Sequence, residues 1–169
     1  MNKTSIRSEQ PADTEAITRV TELAFQSAPH SSQTEHFIVL ALRRAGALSV
    51  SLVAEKGGQV VGHAAFSPVQ ISDGSPDWYG LGPVSVLPEH QHQGIGRALI
   101  HEGLAALRAL GVAGCVVLGE PGYYGRFGFK HRPDCVLEGV PPEYFQVLAF
   151  GPHVAAGRVS YHEAFNAKG

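Results

Sequence analysis

The chain has 169 residues, 44% of them hydrophobic and 17% charged, with a net charge of −2 and a pI near 6.5. This composition excludes a disordered chain, and the lack of any basic block argues against nucleic acid or an anionic membrane as partner. The stretch MNKTSIRSEQ lacks the apolar core of a secretion signal, and no apolar run approaches ~18 residues. A cytoplasmic chain forming one domain over 1–169 is therefore expected, with its two cysteines, Cys115 and Cys135, as free thiols.

In chain order, TSIRS at 4–8 alternates like a short strand. A helix follows, with Asp13 or Thr14 as its N-cap and Ile17, Val20 and Ala24 on one stripe. SAPHSSQ at 27–33 reads as a loop. A second helix is predicted over 34–45, with Ile38, Ala41 and Leu42 facing inward and Gly46 ending it. LSVSLVAE and VVGHAAFSPVQI flank the turn KGGQ and form a hairpin, and a third strand, WYGLGPVSV, follows the turn SDGSPD. The helix predicted over 94–110 has Leu99, Ile100, Leu104, Leu107 and Leu110 on its apolar face and Gly111 just past its end. GCVVLG is apolar on both faces, as a strand inside a sheet should be, and it should run parallel to the strand before the helix. Cys135 falls in a polar loop, and EYFQVLAF and GRVSYH are the last strands. The expected fold class is α+β, a mixed sheet with helices on its faces.

The stretch PEHQHQGIGRALI raises a chemical question, because it sets two glycines, Gly94 and Gly96, immediately before a helix. The first amides of a helix lack internal partners, and the helix dipole favours an anion there. Glycine removes the side chains that would block its approach. Gln91, His92 and Gln93 add donors, and Arg97 is the one charge in reach. The pattern suits a pyrophosphate, although a structural turn accounts for the two glycines equally well. A dinucleotide fingerprint fails because its third glycine position holds Leu99, and the lysine of a P-loop is missing.

VSVLPEHQHQGIGRALI resembles motif A of the GCN5-related N-acetyltransferase (GNAT) superfamily, Q/R-x-x-G-x-G/A, with Gln91, Gly94 and Gly96 in its fixed positions. YYGRFGF resembles motif B, in which a tyrosine, here Tyr124, precedes Gly128 and Phe129. VVGHAAFSPV and VLGEPGYYGRFGF are similar to a bacterial subfamily of predicted acetyltransferases. The resemblance implies a mixed, mostly antiparallel sheet with a splayed central parallel pair and helices on both faces. It implies acetyl-CoA as co-substrate, held by Val84, Ser85 and Val86 on the strand and by Gln91, His92, Gln93, Gly94, Ile95, Gly96, Arg97 and Ala98 at the loop and helix start. The partner is then an amine, of a small molecule or a peptide, and the family pattern leaves room for a homodimer. Pro83 fits this picture, since proline inside a strand marks an edge or a bulge, and a bulge here would free main chain at Val84 and Val86.

Acetyl transfer to an amine needs a neutral nitrogen, although a lysine-like amine has a pKa near ~10.4, and a proton for the departing thiolate. Tyr124, at the motif-B position, is the expected acid, and Tyr123 packs or lines the cofactor. Glu120, at the end of the buried strand, is the candidate base, with Glu22, Glu35 and His63 as alternatives. His90-x-His92 lacks the further ligands of a zinc site, so no metal is expected. Cys115 could accept an acyl group, but its apolar setting makes an inert thiol the default. A non-catalytic acyl-CoA-binding module is the competing reading.

Overall fold

The computed structural model describes residues 3–29 and 31–169; Met1, Asn2 and His30, the last within the expected loop 27–33, lie outside the described residues. Strand β1 (Thr4–Ser8) leads into helices α1 (Thr14–Phe25) and α2 (Glu35–Arg44), followed by strands β2 (Val50–Lys56), β3 (Gln59–Ile71) and β4 (Trp78–Val86). Helix α3 (Ile95–Ala109) connects β4 to β5 (Gly114–Leu118). The short helix α4 (Pro121–Tyr124) and strands β6 (Cys135–Val136), β7 (Phe145–Ala149) and β8 (Gly157–Tyr161) complete the chain.

The main sheet has the order β1-β2-β3-β4-β5-β7, and only β4 and β5 run parallel along it. This is the mixed, mostly antiparallel arrangement expected. Beyond its contact with β4, the long strand β3 pairs its last residues, Val69–Ile71, with β8, and β8 pairs in turn with β6. That pairing buries Cys135, which the sequence assigned to a polar loop.

Helices lie on both faces. Gly62 and Phe66 of β3 look toward α3, where a side chain at Gly103 would collide with the Phe66 ring. Their neighbours in the alternation, His63 and Ala65, therefore look toward α1 and α2. The α3 stripe is buried as predicted at Leu99, Ile100, Leu104 and Leu107, but Leu110 is 62% exposed. Leu110 is the C-cap residue, one position past the helix, and it escapes the layer that covers Leu107.

Between Leu81↔Phe66 and Val84↔Ala64, β4 sets two residues, Gly82 and Pro83, against the single Ala65 of β3. This is the bulge expected at Pro83. The pairing of β4 with β5 runs from Trp78 to Leu81 and stops where the bulge begins. Beyond it the parallel pair is splayed, and the final residues of β4 have no strand on their β5 side.

Candidate active site

At the start of α3 the N-cap Gly94 is left-handed, with φ 84°, a conformation that glycine adopts without strain. Gly96 has no positive φ. A Cβ there would meet only the Tyr123 hydroxyl, at 3.5 Å, and Val86, at 3.8 Å, so its bare backbone faces open space. The Ala98 amide already bonds to the Gly94 carbonyl at 3.0 Å. The free donors are thus the amides of Ile95, Gly96 and Arg97, at the positive end of the helix dipole. The Ile95 side chain is buried in the core, so this residue offers main chain only.

The loop before the helix is more committed than its sequence suggests. Gln91 donates its side-chain amide to the Val86 carbonyl at 3.0 Å, tying the loop to the strand. Gln93 accepts from Lys56 Nζ at 3.2 Å. His92 is exposed with φ 64°, and His90 is half-buried. His90, Gln91 and His92, but not Gln93, line a cavity of about 630 Å³ that extends from Val86 past Gly94 and Gly96 to Tyr123 and Arg126.

Arg126 was not anticipated. Its guanidinium stacks on the Tyr123 ring, 4.7 Å from the centroid, and lines the cavity opposite Arg97. Arg97 and Arg126 also line a neighbouring hollow of about 600 Å³ with His101 and Gly122. The cavity at the start of α3 is therefore lined by two arginines rather than one. The signal lay in YYGRFGF, where an arginine follows two aromatics on a turn that folds back onto α3.

Along the splay the main chain alternates. Leu87 N donates to the Val61 carbonyl at 2.9 Å, and the register places Ser85 opposite His63. Antiparallel pairing alternates, so the main-chain groups of Ser85 turn toward β3 while those of Val84 and Val86 turn toward the gap. Of the three expected strand residues, two present free amides and Ser85 presents its side chain to the face under α1 and α2.

Tyr124 lies on α4, and its amide bonds to the Glu120 carbonyl. A side chain at Gly119 would strike its ring, and Tyr123 and Phe129 meet it edge-on with centroids 5.0 Å and 6.1 Å away. Burial, with the neighbouring Tyr123 adding to it, pushes its phenol up to about 12. Glu120 is the exposed N-cap of α4, separated from the end of β5 by Gly119. Of the other base candidates, Glu35 is held by the Ser31 hydroxyl at 2.8 Å, and Glu22 lies 3.7 Å from His36 Nε2. His63 is fully buried and bonded to Ser51. Cys115 is also fully buried, and desolvation raises its thiol far above the ordinary range. Among the described residues no three His, Cys, Asp or Glu side chains gather as metal ligands, and no helix is long and apolar enough to cross a membrane.

Residues 17–129 match the family model "Acetyltransferase (GNAT) family". The chain belongs to the GNAT acetyltransferase family. Among GNAT relatives, the N-acetyltransferase YhbS of Escherichia coli (strain K12) is 37% identical over 169 residues, covering 95% of this chain and 98% of the relative. A GNAT acetyltransferase from Brucella melitensis, solved in complex with acetyl-CoA, is 54% identical with a TM-score of 0.87, over 98% of this chain and 99% of that one. The YhbS structure from E. coli, solved with CoA, is 35% identical with a TM-score of 0.90, over 100% and 95% of the two chains. The splayed β4–β5 pair and the αL glycine before α3 thus stand in a GNAT fold matched over essentially its whole length.

Proposed function

We propose that residues 1–169 form one cytoplasmic N-acetyltransferase domain that moves the acetyl group of acetyl-CoA to a primary amine by direct attack in a ternary complex. The carrying observation is the set of free amides at Ile95, Gly96 and Arg97, opening onto a cavity that reaches the bare main chain of β4. Two structures covering nearly the whole chain hold acetyl-CoA or CoA, which supports the same reading.

The residues fit this co-substrate. Gly94 and Gly96 leave room at the helix start, the three amides and the Arg97–Arg126 pair suit a pyrophosphate, and the main chain of Val84 and Val86 suits an amide-bearing arm. Acetyl-CoA supplies the thioester carbon that the amine attacks. An N–H in the gap, such as that of Val86, stabilises the charge that develops on the acetyl oxygen. Tyr124 holds its proton at neutral pH and donates it to the leaving sulfur. Glu120, exposed at the C-terminal end of β5, takes up the proton that the amine sheds. Direct attack is favoured because Cys115 is buried and held as a thiol, which removes the chain's nearest candidate for a covalent acyl carrier.

The experiment is thiol release from acetyl-CoA across primary amines, amino acids and peptide N-termini, with calorimetry of CoA binding to wild type and to Gly96→Val. Release with some amines, and at least tenfold weaker CoA binding by a folded Gly96→Val, are expected. Tight binding with no release from any acceptor identifies instead a non-catalytic acyl-CoA-binding module. Unchanged affinity in Gly96→Val overturns the pyrophosphate site.

A further inference from the structure

Two hollows meet at the start of α3 and share Arg97 and Arg126. The first runs from the helix amides to Val86 of β4. The second, of about 600 Å³, is completed by His101 and Gly122. Arg97 and His101 are four residues apart on α3, so they stand one turn apart on one face of the helix. Gly122 and Arg126 come from α4 and the turn after it. Among the described residues no carboxylate lines the second hollow.

These groups are free to meet an anion. The Arg126 guanidinium lies over the Tyr123 ring, which covers one face of its plane, while its N–H donors radiate within that plane and stay available. The His101 imidazole meets the buried Phe127 ring edge-on, with centroids 4.9 Å apart, and His101 as a whole remains exposed. A Cβ at Gly122 would meet only Glu120 Oε1, at 3.8 Å, so no side chain fills the hollow from that wall. Among the described residues neither arginine is in an ion pair. Two unpaired guanidinium groups that border two hollows can serve two anions. CoA carries a second one. Its ribose bears the pyrophosphate on the 5′ carbon and a phosphate monoester on the 3′ carbon, so one sugar holds the two anions side by side. The monoester has a charge of about −1.5 to −2 near neutral pH and three acceptor oxygens.

We propose that the second hollow is the subsite for this 3′-phosphate, with Arg97 and Arg126 bridging it to the pyrophosphate and His101 as the side chain that discriminates CoA from 3′-dephospho-CoA. The inference rests on the acetyl-CoA reading of the first hollow. The 3′-phosphate lies at the opposite end of the co-substrate from the thioester, so the subsite selects which thioester is held and takes no part in the transfer.

The test is calorimetry of CoA and of 3′-dephospho-CoA at one fixed ionic strength. Wild type should bind CoA the more tightly, by roughly tenfold or more. His101→Phe keeps a ring against Phe127 and deletes the nitrogen donors. It should weaken CoA by roughly fivefold and leave 3′-dephospho-CoA within about twofold of wild type, a split that a general loss of structure does not produce. Arg126→Gln should weaken both ligands, CoA the more. Lys56→Gln removes the other cation beside the glycine loop, the one bonded to Gln93, and should leave the ratio of the two affinities unchanged. Equal affinity of wild type for the two ligands, or a preference for CoA that survives intact in His101→Phe, overturns the proposal and leaves the acetyltransferase reading standing. Loss of the preference in Lys56→Gln alone also overturns it and places the 3′-phosphate at that lysine. Failure of wild type to bind either ligand overturns the acetyl-CoA reading, and the subsite with it.

Discussion

Tyr124 and Arg126 sit two positions apart, yet they face different chemistry. The Tyr124 phenol, raised to about 12 by burial, stays protonated throughout the neutral range and so can act there as an acid but not as a base. Tyr124→Phe keeps the ring against Gly119 and Phe129 and deletes that donor. Its kcat should fall by about 10²–10⁴ while acetyl-CoA affinity and melting temperature hold. A fully active variant, assayed where chemistry limits the rate, removes this hydroxyl from the mechanism. In the proposed reading Arg126 meets the pyrophosphate. With Arg97 it makes a two-charge pocket, so CoA binding should weaken clearly as salt rises, more than a pocket relying on helix amides and one arginine would. Arg126→Gln should lower CoA affinity by roughly tenfold, about 1.4 kcal/mol, and flatten the salt dependence. Titrations at two ionic strengths check both. Arg97 was legible in the sequence because it is fixed to the glycine motif, whereas Arg126 reaches the pocket only through the turn that follows α4, and local patterns carry no such information.

At the level of elements, most of the α3 stripe and the β4 bulge could be read directly, because helical periodicity and proline chemistry act over a few residues. Leu110 shows the limit. Its spacing places it on the apolar face, but the helix ends one residue earlier and burial is decided by what lies beneath. The β8–β3 and β6–β8 pairings were also beyond reach, since a strand's partner depends on residues distant in the chain. The same holds for the contact between α3 and β3. Gly103 looks like a weak point in a helix, but the Phe66 ring occupies the space a side chain would need. Gly103→Ala should therefore destabilise the domain by ~1–3 kcal/mol despite alanine's better helix propensity. Urea denaturation gives the sign, and a more stable variant contradicts this account of the packing.

For the whole molecule, stability should depend on pH through the buried His63. The unfolded His63 imidazole takes up a proton near its ordinary 6.5, but the folded one does so only near 4. Between these values the unfolded state binds more protons, so the His63 contribution is fully present above about pH 6.5 and is lost as the pH falls toward 4. The groups facing the ring are Glu9, Ser51, Arg43 and Ser85, and Glu9 is itself held below the usual carboxylate range: desolvation pulls it upward, but the bonds from Arg43 and Ser51 outweigh that. The loss attributable to His63 amounts to about 3 kcal/mol. Denaturant titrations at pH 7, 5.5 and 4.5 should follow this slope, and His63→Asn should flatten it.

The gap beside β4 also determines how the main chain meets solvent. Leu87 is bonded to β3 and Ser85 faces it, while the N–H groups of Val84 and Val86, between and beside them, turn to the gap. Deuterium should therefore enter this strand in a fast–slow–fast–slow order from Val84 to Leu87. A guest that lies along the gap and bonds to its edge would slow only the fast positions, leaving a footprint with the two-residue period of a strand, although no strand of the protein supplies it.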